Sequence, residues 1–451
     1  MGSSSLPRPP LHTVLPPLIL GTATFNTQYV TDPLSMPYRD IVAHAIDLGV
    51  NCFDTSPYYG PSEILLGSAL DALMNPQPTD ANPSPVPLDR SSFKIVTKAG
   101  RIVMNEFDYS PAYIRYSVLR SLQRLHTSYV DLVYCHDVEF VSPAETLAAV
   151  RELRRLRDEE GVVRYVGISG FPVDVLCSLA EMILAETGEP LDAVLSYGHF
   201  TIQNRALGLP WIAPDFDGNG AGSPLARLKA AGVGVVLNAS ILGMGLLTNR
   251  GIPVDPEPEL ANDSPLAKWH PSPPELRLAC KKLAALAATE DERLESVAIR
   301  WALETWARVG AAADIGVCAS TQSLKVGATV CGVSSIAELQ ETVAEWRGVM
   351  ALLETPAVAE EATLARREKV LALVEGKFWP SLGPWLDYVW ASPGPGFVNT
   401  RREEDRGTAP DDGVVAPYDI PSRPPSPSNL TACNPSNPIL LTPTYASRVN
   451  I

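Results

Sequence analysis

Asp54, Lys98 and His136 each close a short apolar run, and Tyr59 follows Asp54 by five positions in Asp54-Thr55-Ser56-Pro57-Tyr58-Tyr59-Gly60. A tyrosine hydroxyl titrates near pH 10 in water, too high for acid–base work at neutral pH. A nearby ammonium favours the phenolate and lowers that value. An aspartate can hold the lysine, and a histidine can orient a substrate oxygen. The set suits proton transfer at a carbonyl or alcohol, and hydride transfer at the same carbon then requires a nicotinamide. Singly, each residue has an ordinary explanation: a helix-capping aspartate, a solvated lysine, a structural histidine. Their coincidence carries the reading. On composition alone Tyr58 competes with Tyr59. His12, His44, His126 and His270 read as structural or exposed. His199 is a candidate to face the substrate, and Cys135 reads as a buried, alternating residue.

The elements that must position these groups recur along the chain. The apolar runs are 18–24, 50–55, 93–98, 130–136, 164–169, 193–197, 233–240 and 329–334. Near-continuous hydrophobicity means that both faces are buried, as in a parallel sheet. Amphipathic segments lie between them: 144–158, for example, carries Leu147, Val150, Leu153 and Leu156 at helical spacing. Eight strands alternating with helices predict an α/β chain folded as a (β/α)₈ TIM barrel, with active groups at the C-terminal strand ends. A doubly wound open sheet is the weaker alternative, because no Gly-x-Gly-x-x-Gly follows the first run.

The composition is that of a globular protein: 451 residues, 45% hydrophobic and 19% charged. The net charge of −15 argues against nucleic-acid binding. The seven cysteines are dispersed without a Cys-x-x-Cys pair, which suits free thiols and no bound metal. No apolar stretch approaches a membrane span and no leader is evident, so a cytoplasmic protein is expected. The 42 prolines gather in the N-terminal arm, some loops and the last seventy or so residues. Residues 75–90, 210–224 and 251–274 read as loop insertions. Residues 309–325 exceed what a barrel needs, and read as a surface excursion or a gene-model error. The expected organisation is an N-terminal arm (1–17), the barrel (18–376), an aromatic segment packed on it (377–396) and a Pro-rich disordered tail (397–451). Neither the first dozen residues nor the tail is expected to form part of the barrel.

Several motifs resemble the aldo-keto reductases. They are Gly49-Val50-Asn51-Cys52-Phe53-Asp54-Thr55 with Tyr59-Gly60, then Ile95-Val96-Thr97-Lys98, Val130-Asp131-Leu132-Val133-Tyr134-Cys135-His136, Val166-Gly167-Ile168-Ser169 and Ala298-Ile299-Arg300-Trp301-Ala302-Leu303. Order and spacing agree from about residue 18 to 343. Within the family, His136-Asp137-Val138-Glu139-Phe140, Leu195-Ser196-Tyr197-Gly198-His199-Phe200 and the stretch 239–248 resemble the NAD-linked sugar dehydrogenases of the L-galactose and D-arabinose type.

The resemblance implies a catalytic set of Tyr59, Asp54, Lys98 and His136, and selects Tyr59 over Tyr58. It implies substrate contacts from Tyr58, His136 and His199. It further implies a nicotinamide cofactor held by Ala23, Thr24, Asp54, Ser169, Gly170, Ser196, Ser240, Leu242, Gly245, Ser334, Glu338 and Thr342. Two departures stand out. Gly170 replaces the asparagine that many members place after the fifth-strand serine. Ala239 replaces an aromatic residue that would stack on the nicotinamide, for which Phe25 is a conceivable substitute. Relatives that use NADP place a lysine and an arginine after the eighth strand. Residues 332–342 contain neither, and Glu338 stands about where the arginine would, which implies NAD rather than NADP. Glu338 also suits a helix first turn. The implied activity is oxidation of an aldose at its anomeric carbon to the aldonolactone. The alternatives are an NADPH-dependent reductase of small aldehydes or ketones and a nucleotide-sensing regulatory subunit.

Overall fold

The computed structural model describes residues 8–78, 84–213, 220–254, 264–319, 324–355, 360–410, 412 and 414. Eight parallel strands close into a barrel: β1 (Leu18–Gly21), β2 (Cys52–Asp54), β3 (Lys94–Ala99), β4 (Val130–His136), β5 (Val163–Gly170), β6 (Ala193–Tyr197), β7 (Val235–Ala239) and β8 (Ala328–Gly332). Each pairs with its neighbours in chain order, and β8 closes on β1 through Leu18↔Thr329 to Gly21↔Gly332. Helices follow the strands. Several begin on a serine whose hydroxyl accepts a backbone N–H: Ser110, Ser142, Ser223 and Ser335. Among the described residues no helix is long and apolar enough to cross a membrane.

Strand periodicity explains the two cores. Side chains alternate between the barrel interior and the helix layer. Ile19, Cys52, Val96, Leu132, Tyr165, Leu195, Leu237 and Val330 fill the interior, whereas Phe53, Ile95, Val133, Val166, Val194 and Val236 face the helices.

Three expectations change. The N-terminal arm does belong to the barrel: Leu11 and Leu15, from a short turn among the prolines, are buried in the interior cluster, and Tyr165 Oη donates to Pro9 O at 2.5 Å. The described part of 309–325 is not a surface excursion. The helix Leu294–Ala313 runs into it, and a two-stranded hairpin, Val317–Cys318 with Lys325–Val326, buries Val317 in the same cluster (320–323 lie outside the described residues). Together these pieces floor the barrel.

The tail does not begin at 397. Asn399 bonds both ways with the Phe107 backbone, Arg401 pairs with Glu106 and Asp108, and Phe397 packs edge-on against Phe107 and Phe140. Tyr116 Oη donates to Asp412, and Val414 is buried. Apolar and hydrogen-bonding partners on the Arg101–Phe107 hairpin hold this strap despite its polar composition. Residues 415–451 lie outside the described residues.

Candidate active site

The alternation that fills the barrel puts one residue per strand into its last inward layer. Around the ring these are Gly21, Asp54, Lys98, His136, Ser169, Tyr197, Ala239 and Gly332. One half, β2 to β5, is polar and ionisable. The other, β7, β8 and β1, is glycine and alanine.

In the polar half Lys98 Nζ donates to Asp54 Oδ1 at 2.5 Å and to Thr55 O at 3.0 Å, and both side chains are buried. Burial pushes the Asp54 carboxyl up, against the pull of Lys98. Its Oδ2 has no partner among the described residues. His136 Nδ1 lies 3.0 Å from Ser56 Oγ, and Tyr58 and Tyr59 both stand edge-on to its ring at 5.7 Å. Burial pushes the imidazole down to about 3, so it is neutral at physiological pH. Tyr109 Oη donates to His136 O at 2.6 Å; a Cβ on Gly100 would lie 2.3 Å from that tyrosine ring, so only glycine fits there, at φ +101°.

Lys98 Nζ lies 4.8 Å from the centroid of the half-buried Tyr59 ring, but the expected lowering of the phenol is not what this arrangement produces. Burial, then the charges of Asp54 and Asp137, push Tyr59 well above its ordinary value, with Arg101 opposing. Tyr59 therefore rests as a phenol.

Sequence reasoning missed Arg101 and Asp137. The Arg101 guanidinium is ion-paired to Asp137 and lies 3.8 Å over the Tyr58 ring, and Asp137 Oδ2 is 3.6 Å from His136 Nε2. Gln28 Nε2 donates to Tyr58 Oη, and Trp269 Nε1 donates to Gln28 O, which joins the loops after β1 and β7. Only the position of Asp137 beside His136 could have signalled it.

His199 does not join the site. It is buried against Phe171 at 4.2 Å with Nδ1 3.4 Å from Ser196 Oγ, and burial pushes it down to about 4. By strand alternation the buried Ser196 lies on the helix side, opposite to Leu195 and Tyr197. Phe25 is wholly buried against Tyr38 and cannot serve as a stacking ring. In the last inward layer the aromatic residue is Tyr197, in register with Ala239 and 5.4 Å from Phe171. Trp390, from the segment after 377, stacks on Phe171 at 4.9 Å and meets His270 edge-on. That segment is tied to the barrel by Arg205–Asp387, by Gln203 to Trp385 O and Tyr388 O, and by Trp379 to Ile202 O.

Gly170 has a specific reason. A Cβ there would lie 2.5 Å from Glu139 Oε2. Glu139 accepts from Phe171 N and Ser392 Oγ, and burial plus Asp137 push its carboxyl up to about 8.

The small half of the ring fits a flat cofactor ring. Gly332 is exposed, Gly21 and Ala239 add no bulk, and the orphaned Asp54 Oδ2 is an acceptor for a ribose hydroxyl. Ala23, Thr24, Ser240 and Leu242 are part-exposed around that half, and Thr24 Oγ1 ties the loops after β1 and β8 by donating to Val333 O at 2.6 Å. Ser169 points inward at the end of β5. Gly245 is part-exposed as well, with Leu266 packed where a Cβ would stand, whereas Thr342 departs from expectation because it is buried. Glu338 is exposed, and its carboxylate accepts from Ser334 N at 2.6 Å and from Ser334 Oγ. Arg293, paired with Glu341 and Glu295, is a cation near this stretch that motif reading did not find.

Known proteins resemble this chain over most of its length. The model of the Aldo/keto reductase family matches residues 17–350. The chain is 38% identical over 326 residues to a D-arabinose 1-dehydrogenase of Saccharomyces cerevisiae, covering 72% of this chain and 81% of that protein. It is 32% identical over 346 residues to an L-galactose dehydrogenase of Arabidopsis thaliana, covering 75% and 86%. Among solved structures, a glycerol dehydrogenase from Gluconobacter oxydans shares the fold at 20% identity, with a TM-score of 0.51 over 88% of this chain and 100% of that one.

Proposed function

Because this chain belongs to the aldo/keto reductase family, an oxidoreductase family that works with nicotinamide cofactors, we propose that it oxidises an aldose of the D-arabinose or L-galactose kind at its anomeric carbon, with NAD⁺ as acceptor and the aldonolactone as product. The carrying observation is the convergence of Asp54, Lys98, His136 and Tyr59 beside a half-ring of glycine and alanine.

The anomeric oxygen is held by His136, and Tyr59 takes its proton as C1 loses a hydride. A bound oxidised nicotinamide supplies the hydride acceptor and a positive charge that favours the Tyr59 phenolate. Lys98, fixed by Asp54, stands on the same side and stabilises the charge that develops on Tyr59. Ser169 and Asp54 Oδ2 are placed to bind the cofactor, and Ala23, Thr24, Ser240, Leu242 and Ser334 to border it. Tyr58, Tyr197 and Trp390 offer ring faces to the C–H side of a sugar, with Arg101 fixing the tilt of Tyr58. The preference for NAD⁺ rests on a rim from Gly332 to Thr342 without a cation, where a 2′-phosphate would meet Glu338. Arg293 supports the second reading, an NADP-linked reductase, if it leaves Glu341 for a phosphate. The buried free cysteines suit a reducing cytosol.

The test is steady-state turnover by purified protein. Aldoses with NAD⁺ or NADP⁺ are compared with small aldehydes and NADPH, following the absorbance of the reduced nicotinamide. Faster turnover of the aldehydes would replace the first reading by the second. Cofactor binding without turnover of either substrate class would leave the regulatory role.

A further inference from the structure

Ser56 is wholly buried between two polar groups. Tyr58 N donates to its Oγ at 3.1 Å, and His136 Nδ1 lies 3.0 Å away. A hydroxyl has one proton and two lone pairs. The Tyr58 amide can only donate, so it occupies one lone pair. Were His136 protonated at Nδ1, it would occupy the second, and the Ser56 O–H would need another acceptor. No such partner appears among the described residues, and a buried O–H left unpaired is costly. Donation from Ser56 Oγ to Nδ1 satisfies all three groups and, in a neutral ring, leaves the proton on Nε2.

The opposite side of the ring agrees. Nε2 lies 3.6 Å from Asp137 Oδ2, whose negative charge favours a proton on the nearer nitrogen. Asp137 is held there by its ion pair with Arg101, by its N–H to Ser169 O at 2.8 Å and by a left-handed backbone at φ +60°.

We propose that Ser56 is a positioning residue for the reaction: it locks His136 in the Nε2–H tautomer, so that the ring offers the substrate oxygen a donor and not a lone pair. An Nε2 lone pair would accept the hydroxyl proton that Tyr59 must take. The catalytic consequence rests on the dehydrogenase reading above, whereas the tautomer does not, and the test separates them.

The test is long-range ¹H–¹⁵N spectroscopy of the full chain labelled with ¹⁵N-histidine, with His136→Gln used to assign the signal. The expected result for the unmodified protein is an unprotonated Nδ1 and a protonated Nε2, with the other tautomer roughly tenfold or more depleted. Ser56→Ala should shift His136 towards a tautomer mixture and lower kcat by roughly 10–100-fold. KM for NAD⁺ should stay within about twofold, since the ring is rotated in charge and not in place. Ser56→Thr, which keeps the hydroxyl, should restore both signals. If Ser56→Ala does not fold, the spectrum of the unmodified protein and that of Ser56→Cys, a weaker donor, decide the matter. A protonated Nδ1 in the unmodified protein, or an unchanged tautomer and kcat in Ser56→Ala, would overturn the proposal. An Nε2–H ring in a protein that turns over no aldose would reject the dehydrogenase reading and leave the lock in place.

Discussion

The two ends of the barrel are built from the same eight strands and differ in what those strands carry inward. At the floor the inward residues are apolar, and Leu11, Leu15 and Val317 close the opening as a dry plug. At the mouth, the same alternation delivers a buried ion pair, a neutral histidine and a phenol. Left-handed backbones occur at both ends: at Asp137, Ser240 and Met244 in the mouth loops and at Asp387 beside them, and at Asp314 where the helix Leu294–Ala313 ends at the floor. Left-handed backbone and buried charge both cost stability. The inward layer of the floor is apolar where that of the mouth is charged, and the strands transmit position without transmitting composition.

The sharpest way to break this division is at Tyr59. Tyr59→Phe should lower turnover at least about a hundredfold, by loss of acid–base catalysis, while NAD⁺ affinity and the unfolding midpoint stay close to the original. Tyr58→Phe should cost far less. Steady-state oxidation of the best aldose by both variants, with thermal unfolding alongside, checks this. A large loss in Tyr58→Phe and a small one in Tyr59→Phe would reverse the assignment.

The converse experiment is at the floor. Leu15→Ala should destabilise the fold by about 2–5 kcal/mol, the range for an aliphatic core truncation, and leave kcat of the folded fraction unchanged. Denaturant unfolding and kcat measured well below the midpoint supply the two numbers. A fall in kcat without loss of stability would show that floor and mouth are coupled.

A smaller effect is expected at the cofactor rim. NAD⁺ should be preferred by roughly ten- to hundredfold in kcat/KM, the worth of one missing charge-assisted contact, and Glu338→Arg should shift that preference towards NADP⁺. Equal or better efficiency with NADP⁺ in the unmodified protein refutes the preference.

A last effect, on stability and not on turnover, concerns pH. Glu139 titrates at about 8 in the fold and near 4.3 in an unfolded chain. Between these values the unfolded state binds fewer protons than the folded one, so this group's contribution to stability falls as pH rises from about 4.5 to 8. Glu139→Gln removes that dependence. Its stability relative to the original should therefore increase with pH across this window, as read from unfolding at fixed temperature. A constant difference across the window counts against the elevated value.

Much of this was legible in one dimension. The β-branched runs mark all eight strands because both faces of each are buried, and Asp54, Lys98 and His136 stand at strand ends, where alternation dictates their direction. What escaped reading depends on distant partners. Leu11 and Leu15 sit among prolines and look like an arm until Tyr165 and Val317 are brought beneath the barrel. Phe397, Asn399 and Arg401 look like tail until the Arg101–Phe107 hairpin meets them. Ser196 and His199 carry suitable chemistry, but each satisfies the other. Lys98 beside Tyr59 suggests a lowered phenol, but burial and the nearby carboxylates of Asp54 and Asp137 outweigh it.

The close approach of Glu139 to Gly170 has a consequence for how such a site can change over generations. A Cβ at 170 would meet the terminal Oε2 of Glu139, whose other oxygen is held by Phe171 N and Ser392 Oγ, so a side chain there must displace that carboxylate. The two positions are therefore coupled: a library that varies both should return larger residues at 170 together with shorter ones at 139 more often than one that varies 170 alone.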